Sequence, residues 1–173
     1  MLIVMAGLPG TGKSTLAVRI SDEVGGAILS KDVVRAALFP TSVLDYSSAQ
    51  DEIAMSAVYA AAQYILGKQP SGKVILDGRT FLKPGQLDTP IQLAAVLEQP
   101  FRVIECICSD EVAHARLAAD HEAGAHLARN RTPDLYERVK ESAIPLTVPR
   151  LTLDTGILTP EECVDRARAY ISE

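Results

Sequence analysis

Alternating blocks of apolar and polar residues predict a chain in which strands and helices follow one another in turn. Short runs rich in Val, Ile and Leu predict strands at 2–6, 27–30, 73–78, 101–108 and 150–155. Between them, recurring apolar positions predict helices at 14–24, 32–39, 48–66 and about 85–98, and three more after Ser109, Thr132 and Thr159. Strands that alternate with helices indicate an α/β fold, in which helices cover both faces of a parallel sheet.

The last three predicted helices carry recognisable signals at their first turn. Ser109 is followed by two acidic residues, whose negative charge stabilises a helix N-terminus. Thr132 and Thr159 are each followed by a proline, which suits the first helical position. The stretch TPEE at 159–162 also has the spacing of a capping box, so the final helix is predicted to begin there.

Length and composition suit a single globular domain over residues 1–173. Hydrophobic residues make up 47% and charged residues 23% of the chain, both near globular averages. The net charge of −5 argues against a general nucleic-acid coat, because affinity for duplexes depends mainly on Lys and Arg. The three cysteines form neither a disulfide framework nor a zinc pair and are expected to be small buried hydrophobes: Cys106, Cys108 and Cys163.

No apolar stretch approaches the length of a transmembrane helix, and the apolar start lacks the basic residues of a signal peptide. We therefore expect a cytoplasmic protein that does not associate with a membrane. No obligate protein partner is evident from the sequence.

The stretch GLPGTGKST, residues 7–15, follows the first predicted strand and runs into the first predicted helix. It matches the phosphate-binding pattern G-x-x-x-x-G-K-[ST], in which glycines let backbone N–H groups point inward at a polyphosphate. Lys13 is predicted to bridge the β- and γ-phosphates of ATP, and the Ser14 hydroxyl to bind Mg²⁺. The predicted nucleotide-binding residues are Gly7, Leu8, Pro9, Gly10, Thr11, Gly12, Lys13, Ser14 and Thr15, although Thr15 also suits a helix surface.

Asp32 and Arg35 form a D-x-x-R pattern just after the second predicted strand. A spacing of three residues places both on one face of the short helix that follows. One interpretation is an N-terminal helix cap that forms an ion pair with Arg35. The other is a general base for an acceptor hydroxyl beside a cation that holds the acceptor, and the position at a strand end favours it.

Asp77 ends the third predicted strand after an apolar run, which is typical of a Walker B residue at a Mg²⁺ site. The alternative is an Asp that forms a turn before Gly78. Arg79 and Thr80 follow directly and are candidates to line an acceptor pocket. The stretch Asp154-Thr155-Gly156 ends the fifth predicted strand and is expected to lie near the nucleotide.

An arginine-bearing segment follows the fourth predicted strand and contains a Gly- and Ala-containing connector. Arg129 and Arg131 are predicted to belong to a lid, at about 119–132, that closes over the phosphates and stabilises charge in the transition state. Arg138 lies beside acidic residues and is better interpreted as part of a solvated helix face. The histidines have poor spacing for a shared metal and are expected at the surface or in the lid: His114, His121 and His126.

Four stretches together resemble the small P-loop kinases of the polynucleotide kinase and zeta-toxin-like group, which includes many AAA-type predicted kinases: GLPGTGKST, SKDVVRAAL, VILDGRTF and RNRTPDLYERV. The resemblance implies a three-layer α/β/α P-loop fold with sheet order 2-3-1-4-5. It implies that Asp32 is the general base, that Arg35 binds the acceptor, and that Arg129 or Arg131 is the lid arginine. The chain departs from the group at RLAAD, where Asp120 occupies the position of a common second arginine.

The expected activity is ATP-dependent transfer of the γ-phosphate to a hydroxyl of a small molecule. A polynucleotide 5′-hydroxyl kinase, acting on a nucleic-acid 5′ end, and a zeta-toxin-like kinase are the alternatives within the group. An NTPase without kinase activity is less well supported. The chain lacks the N-K-x-D motif of GTPase switches and the L-S-G-G-Q signature of transporter ATPases.

Overall fold

A computed structural model of the chain describes residues 1–122 and 132–173. Its centre is a five-stranded sheet in which every neighbouring pair is parallel. The strands lie in the order β2-β3-β1-β4-β5, which confirms the order implied by the resemblance. Their bounds are β1 Leu2–Ala6, β2 Gly26–Ser30, β3 Lys73–Asp77, β4 Phe101–Ile107 and β5 Leu151–Asp154.

Helices connect the strands, and their bounds agree closely with the sequence prediction. They are α1 Lys13–Val24, α2 Lys31–Leu38, α3 Ser48–Lys68, α4 Asp88–Val96, α5 Asp110–Glu122, α6 Pro133–Glu141 and α7 Pro160–Ser172. The capping box at Thr159 is present, and the Thr132 side chain accepts a hydrogen bond from the Leu135 N–H. Helix α4 begins three residues later than predicted, because Gly85, at φ +76°, turns the chain before the helix starts.

The side chains of β1 alternate between two apolar layers, one on each face of the sheet. Leu2, Val4 and Ala6 pack with residues of α3 and α4. Ile3 and Met5 pack on the opposite face with residues of α1 and α7. Burial on both faces explains why this strand is a continuous apolar run. The same packing holds β1 in place just before the phosphate-binding loop.

Because all five strands are parallel, their carboxyl ends meet at one edge of the sheet. The glycine-rich loop follows β1, α2 follows β2 directly, and Gly78 follows β3. The backbone N–H of Gly7 donates to the carbonyl of Thr80 at 2.9 Å, so the phosphate-binding loop is bonded to the segment after β3. The fold therefore gathers the predicted site residues of the described chain at this edge.

Candidate active site

The phosphate-binding loop has the backbone conformation that its glycines predict. Gly7, Gly10 and Gly12 have φ values of 133°, 78° and 80°, which L-residues rarely adopt. A Cβ atom at Gly7 would lie 2.2 Å from the carbonyl oxygen of Cys106, so β4 also leaves no room for a side chain there. This loop thus depends on glycine for its conformation and for its close approach to β4.

Lys13 lies at the start of α1 with its side chain folded over the loop. Its ammonium group donates hydrogen bonds to the Leu8 carbonyl at 2.6 Å and to Thr11 Oγ1 at 3.4 Å. Only 7% of the residue is exposed, whereas Ser14 is half-buried and Thr15 is exposed. The loop therefore holds its cation at a fixed position, and the exposure of Thr15 agrees with its helix-surface interpretation.

A cavity of about 440 Å³ opens on one side of Lys13 and Ser14, and we call it the donor cavity. The phosphate-binding loop, the start of α1, α5 and the segment after β5 form its walls. Its lining includes Gly10, Gly12, Thr15, Arg19, Arg116, Asp120, Thr155, Leu158 and Pro160. Thr155 is part of this lining, so the segment after the fifth strand lies beside the phosphate-binding loop.

Arg116 of α5 links the phosphate-binding loop to the segment after β5. Its guanidinium donates to Thr155 Oγ1 at 2.9 Å, to the Thr155 carbonyl at 2.8 Å and to the Gly10 carbonyl at 3.4 Å. Thr155 Oγ1 in turn donates to the Thr11 carbonyl at 2.9 Å. These bonds join α5, the phosphate-binding loop and the segment after β5, which form walls of the donor cavity.

A second cavity, of about 290 Å³, opens on the other side of the same two residues, and we call it the acceptor cavity. Its lining includes Lys13, Ser14, Lys31, Asp32, Arg35, Tyr46, Asp51, Arg79, Thr80, Lys83, Leu135 and Val139. It is rich in charged groups, and its lining includes the predicted acceptor residues Asp32, Arg35, Arg79 and Thr80. Lys13 and Ser14 are the residues that line both cavities.

Asp32 belongs to a cluster of four charged side chains. Arg35 Nη2 donates to Asp32 Oδ1 at 2.7 Å, and Arg35 Nη1 donates to Asp51 Oδ1. Lys31 Nζ donates to Asp51 Oδ2 at 2.9 Å and lies 3.6 Å from Asp32 Oδ1. The ion pair of the first interpretation is therefore present. Asp32 is not the predicted helix cap, because it is the second residue of α2. Ser30 occupies the cap position and makes no side-chain cap bond.

Tyr46 covers the Arg35 side of this cluster. The Arg35 guanidinium carbon lies 4.7 Å from the centre of the Tyr46 ring, which is a cation–π distance. Arg35 is only 4% exposed, and its guanidinium contacts two carboxylates and one aromatic face. Such an environment fixes the direction of the guanidinium.

Asp77 ends β3 and is 3% exposed. Its Oδ1 atom is buried and makes no hydrogen bond within the part of the chain that the structure describes. A buried carboxylate oxygen without a donor is costly unless a cation or water satisfies it. The residues present thus fit a Mg²⁺ site, with Asp77 acting directly or through water and with the Ser14 hydroxyl as a further oxygen donor.

The described residues contain no group of three or more His, Cys, Asp or Glu side chains that could hold a metal ion by themselves. Magnesium in nucleotide sites needs only one or two protein oxygens, because phosphates and water complete its shell. The small donor set at Asp77 and Ser14 is therefore of the right kind for magnesium bound together with a nucleotide.

Arg79 follows β3 and lines the acceptor cavity with its side chain 14% exposed. It forms an ion pair with Glu52 of α3, whose side chain is 63% exposed. Burial raises the pKa of the nearby Tyr59 hydroxyl, and the charge of Arg79 partly opposes that effect. Arg79 is therefore placed where an acceptor could contact it, as the sequence predicted.

Helix α6 supplies an apolar wall of the acceptor cavity through Leu135 and Val139. An adjacent face of α6 is attached to α5, because the Tyr136 hydroxyl donates to Asp110 Oδ1 at 2.7 Å and Lys140 donates to Asp110 Oδ2. Burial and the Asp110 hydrogen bond raise the pKa of Tyr136. The hydrogen bonds from Lys140 and Tyr136 lower the pKa of Asp110.

The cysteines contribute packing rather than chemistry. Cys106 and Cys163 are buried, as predicted, whereas Cys108 is half-buried because it lies just past the end of β4. Burial raises the pKa of the Cys106 thiol to about 12, and the charge of Lys13 acts in the opposite direction. The Cys106 thiol therefore stays protonated near neutral pH and is a poor nucleophile.

The structure brings together most of the residues predicted from the sequence. Arg129 and Arg131 lie outside the described residues. Most of the predicted lid at about 119–132 also lies outside them, and its first residues, 119–122, form the end of α5. Sequence reasoning missed Lys31 and Asp51. Lys31 adjoins the D-x-x-R pattern and could have been noticed, but the place of Asp51 depends on how α3 packs against α2.

Comparison with protein families matches residues 2–144 to the AAA domain family. A search of curated proteins finds no match to this chain. No helix in the described ranges is both long and apolar enough to cross a membrane.

Several solved structures share the whole fold. A candidate kinase from Chloroflexus aurantiacus is 25% identical, with a TM-score of 0.76, over 98% of this chain and 97% of that one. Kti12 of Chaetomium thermophilum, solved with ADP-AlF3, is 19% identical, with a TM-score of 0.71, over 100% of both chains. The APS kinase of Mycobacterium tuberculosis, solved with AMPPNP and APS, is 17% identical, with a TM-score of 0.68, over 99% and 97%.

The family match covers most of the chain, and the neighbours share its fold over nearly its whole length. The sheet order that the resemblance implied is thus found in the structure and supported by the comparisons. The chain belongs to the AAA domain family, and its fold is that of the small P-loop kinases.

Proposed function

We propose that the protein is an ATP-dependent kinase that transfers the γ-phosphate to a hydroxyl group of a small molecule. One observation carries the proposal: two separate cavities, one beside the phosphate-binding loop and one beside the D-x-x-R pair, share Lys13 and Ser14 as lining residues. An ATPase that hydrolyses its nucleotide needs only the first cavity. A second cavity with its own charged side chains is what transfer to a separate acceptor requires.

The donor half of the proposed site consists of the loop glycines, Lys13 and Ser14. Backbone N–H groups and the start of α1 suit an anionic polyphosphate. Lys13 has its ammonium group held in place, so it can meet the phosphates without a large rearrangement. Ser14 and Asp77 would hold Mg²⁺, which neutralises charge on the β- and γ-phosphates when bound.

The acceptor half centres on Asp32. In this role the Asp32 carboxylate accepts the proton of the acceptor hydroxyl, while Arg35, held by two carboxylates, orients the acceptor. Arg79 provides a second cation at the same cavity, and Leu135 and Val139 provide an apolar wall. The relatives named as kinases support the reaction class.

A polynucleotide 5′-hydroxyl kinase is the second candidate, because the acceptor cavity has several cations that suit a nucleotide phosphate. The cavity of about 290 Å³ suits one small molecule or one terminal nucleotide better than a long strand. The net charge of −5 also gives no extended basic surface for a strand. We therefore place a small-molecule acceptor first.

A transfer assay with [γ-³²P]ATP and Mg²⁺ tests the proposal. The acceptors are sugars, nucleosides, aminoglycoside-like alcohols and a 5′-hydroxyl oligonucleotide, offered separately to the full chain. We expect label on at least one small molecule. Label on the oligonucleotide alone would reverse the order of the two candidates. Label in inorganic phosphate alone, with every acceptor, would contradict kinase function.

Expression tests the zeta-toxin-like alternative separately. Growth arrest on expression of the wild-type chain, relieved by Asp32→Asn, would support a toxin. Normal growth at the same protein level argues against it. Both chains carry an intact phosphate-binding loop, so the comparison isolates the acceptor half of the site.

A further inference from the structure

Asp51 binds both cations that flank Asp32. Its Oδ1 accepts from Arg35 Nη1, and its Oδ2 accepts from Lys31 Nζ at 2.9 Å. One carboxylate therefore uses both of its oxygens on the two side chains that also lie within ion-pair distance of Asp32. Within the described residues, Asp32 and Asp51 are the two carboxylates that each pair with both Lys31 and Arg35.

The two cations contact Asp32 unequally. Arg35 donates to Asp32 Oδ1 at 2.7 Å, whereas Lys31 lies 3.6 Å from the same oxygen, beyond ordinary hydrogen-bond distance. The hydrogen bond from Lys31 goes to Asp51 instead. Asp51 thus holds the Lys31 ammonium back from Asp32 and holds the second nitrogen of Arg35.

The position of Asp51 follows from helix packing rather than from local sequence. It lies in the first turn of α3, where the Ser47 hydroxyl caps the helix by accepting from the Gln50 N–H. Gln50 is buried, and its side chain donates to the Val43 carbonyl at 2.7 Å, which fixes the preceding loop. The cap and this loop bond together fix the helix start from which Asp51 reaches α2.

The four charges of the cluster sum to zero, because two cations face two carboxylates. Without Asp51, two cations would face Asp32 alone, with Lys31 and Arg35 only 10% and 4% exposed at their side chains. A carboxylate between two poorly solvated cations is bound too strongly to accept a proton readily. The other charged or titratable side chains lining this cavity are Lys13, Tyr46, Arg79 and Lys83.

We propose that Asp51 is a positioning residue for Asp32: it holds Lys31 and Arg35 from α3 and so leaves the Asp32 carboxylate able to accept the proton of an acceptor hydroxyl. This inference rests on the proposed function of Asp32 as the general base. Asp51 need not touch the acceptor, since it acts through the two cations.

The test compares Asp51→Asn with the wild-type chain by carbon-13 NMR of the Asp32 carboxyl group during a pH titration. This readout needs no acceptor and no nucleotide. Asparagine keeps the shape of Asp51 but removes its charge, so both cations act on Asp32. We expect Asp32 to titrate at a lower pH in Asp51→Asn, by about one pH unit, which is about tenfold in proton affinity.

Glu52→Gln is the matched control, because Glu52 is the next residue of α3 and pairs with Arg79, another cation of the same cavity. Its charge is largely exposed and therefore screened, so Asp32 should titrate as in the wild-type chain. Asp51→Glu keeps the charge and should restore the wild-type titration. An unchanged Asp32 titration in Asp51→Asn, with a native amide spectrum, would overturn the proposal.

The double variant Lys31→Met with Asp51→Asn keeps the test decisive if the single variant unfolds. It removes one cation together with one carboxylate, so the cluster stays neutral. We expect Asp32 to titrate near its wild-type midpoint in this variant. A midpoint far below the wild-type value would overturn the charge-compensation argument.

Turnover separates this inference from the proposed function. With an acceptor labelled in the transfer assay, Asp51→Asn should lower kcat about tenfold or more, shift the acidic limb of the pH profile to lower pH and leave the KM for ATP unchanged. If Asp32→Asn kept full turnover, the general-base role would fail even with the NMR shift present. An NMR shift without any change in the pH profile would overturn the positioning role alone.

Discussion

Arg116 and Thr155, 39 residues apart in the chain, are joined by two hydrogen bonds of 2.9 and 2.8 Å at the edge of the sheet. Through Thr155 Oγ1 and the Gly10 carbonyl, this pair fastens the phosphate-binding loop to the segment after β5. The donor cavity therefore depends on residues far from the motif that predicts it.

Arg116→Ala is expected to weaken ATP binding about tenfold or more, because hydrogen bonds from a charged group contribute ~1.5–3 kcal/mol each. Isothermal titration calorimetry of ATP with Mg²⁺ gives the affinity directly. Arg168→Ala is the matched control, since Arg168 is exposed and forms an ion pair with Asp165 of the same helix. Equal affinity in all three chains would show that the Arg116–Thr155 link does not support the donor cavity.

Gly7→Ala is expected to lower the free energy of unfolding by ~2 kcal/mol or more, because φ +133° and contact with the Cys106 carbonyl both oppose a side chain. Gly67→Ala should have the opposite effect. Gly67 lies in α3 with open space around its Cβ position, and alanine there stabilises a helix by ~0.5–1 kcal/mol. Urea denaturation measures both, and a Gly7→Ala chain as stable as wild type would contradict the geometry of the loop.

The attachment of α6 to α5 is expected to weaken in acid. Hydrogen bonds from Lys140 and Tyr136 lower the pKa of Asp110 from the ordinary value of 3.8. A carboxylate with a depressed pKa contributes stability above that ordinary value and loses it as the pH falls through the lowered pKa. Amide protection factors in α6 should therefore drop below about pH 4.

The same attachment is expected to weaken in strong base. Burial, followed by the Asp110 hydrogen bond, raises the pKa of Tyr136 above 10.0, so the stability that Tyr136 contributes is lost only as the pH rises through that raised pKa.

The variant Asp110→Asn tests both effects: it should lower the amide protection of α6 at neutral pH and remove the acid dependence of that protection. An acid dependence of α6 that persists in Asp110→Asn would assign it to another group, and α1 serves as the internal reference.

The arginine lid remains a prediction from the sequence. Arg129→Ala or Arg131→Ala should reduce turnover by a factor on the order of a thousand if the residue meets transition-state charge, with ATP affinity changed less than about twofold. Arg138→Ala is the control, because Arg138 is exposed on α6. Steady-state kinetics together with ATP titration identify which arginine acts. Full turnover in both variants would contradict the lid.

Apolar pattern and turn chemistry predict the sheet and most helix ends, because burial on both faces makes each central strand a continuous apolar run. Gly85 shows where the pattern is insufficient: the turn that it allows makes α4 begin three residues later than predicted. The capping signals at Thr132 and Thr159 are local, and both are confirmed.

The residues of the candidate site likewise include some that the local sequence predicts and some that depend on packing in the folded chain. The phosphate-binding loop and Asp77 are predictable because each belongs to one strand end with a recognisable pattern. Asp51 is not, because it is 16 residues from its partner Arg35 and meets it only through the packing of α2 and α3. No sequence motif predicts a role for Arg116 in the site, and only its hydrogen bond to Thr155 in the folded chain places it in the wall of the donor cavity.

The fate of the γ-phosphate tests the central claim most directly. [γ-³²P]ATP is incubated with the full chain, Mg²⁺ and an acceptor panel, and the label is followed in wild type, Asp32→Asn and Lys13→Ala. We predict label on an acceptor hydroxyl with wild type, a loss of about a hundredfold or more in Asp32→Asn with ATP still bound, and neither binding nor transfer in Lys13→Ala. Label that appears only in inorganic phosphate, or full transfer by Asp32→Asn, would contradict the account.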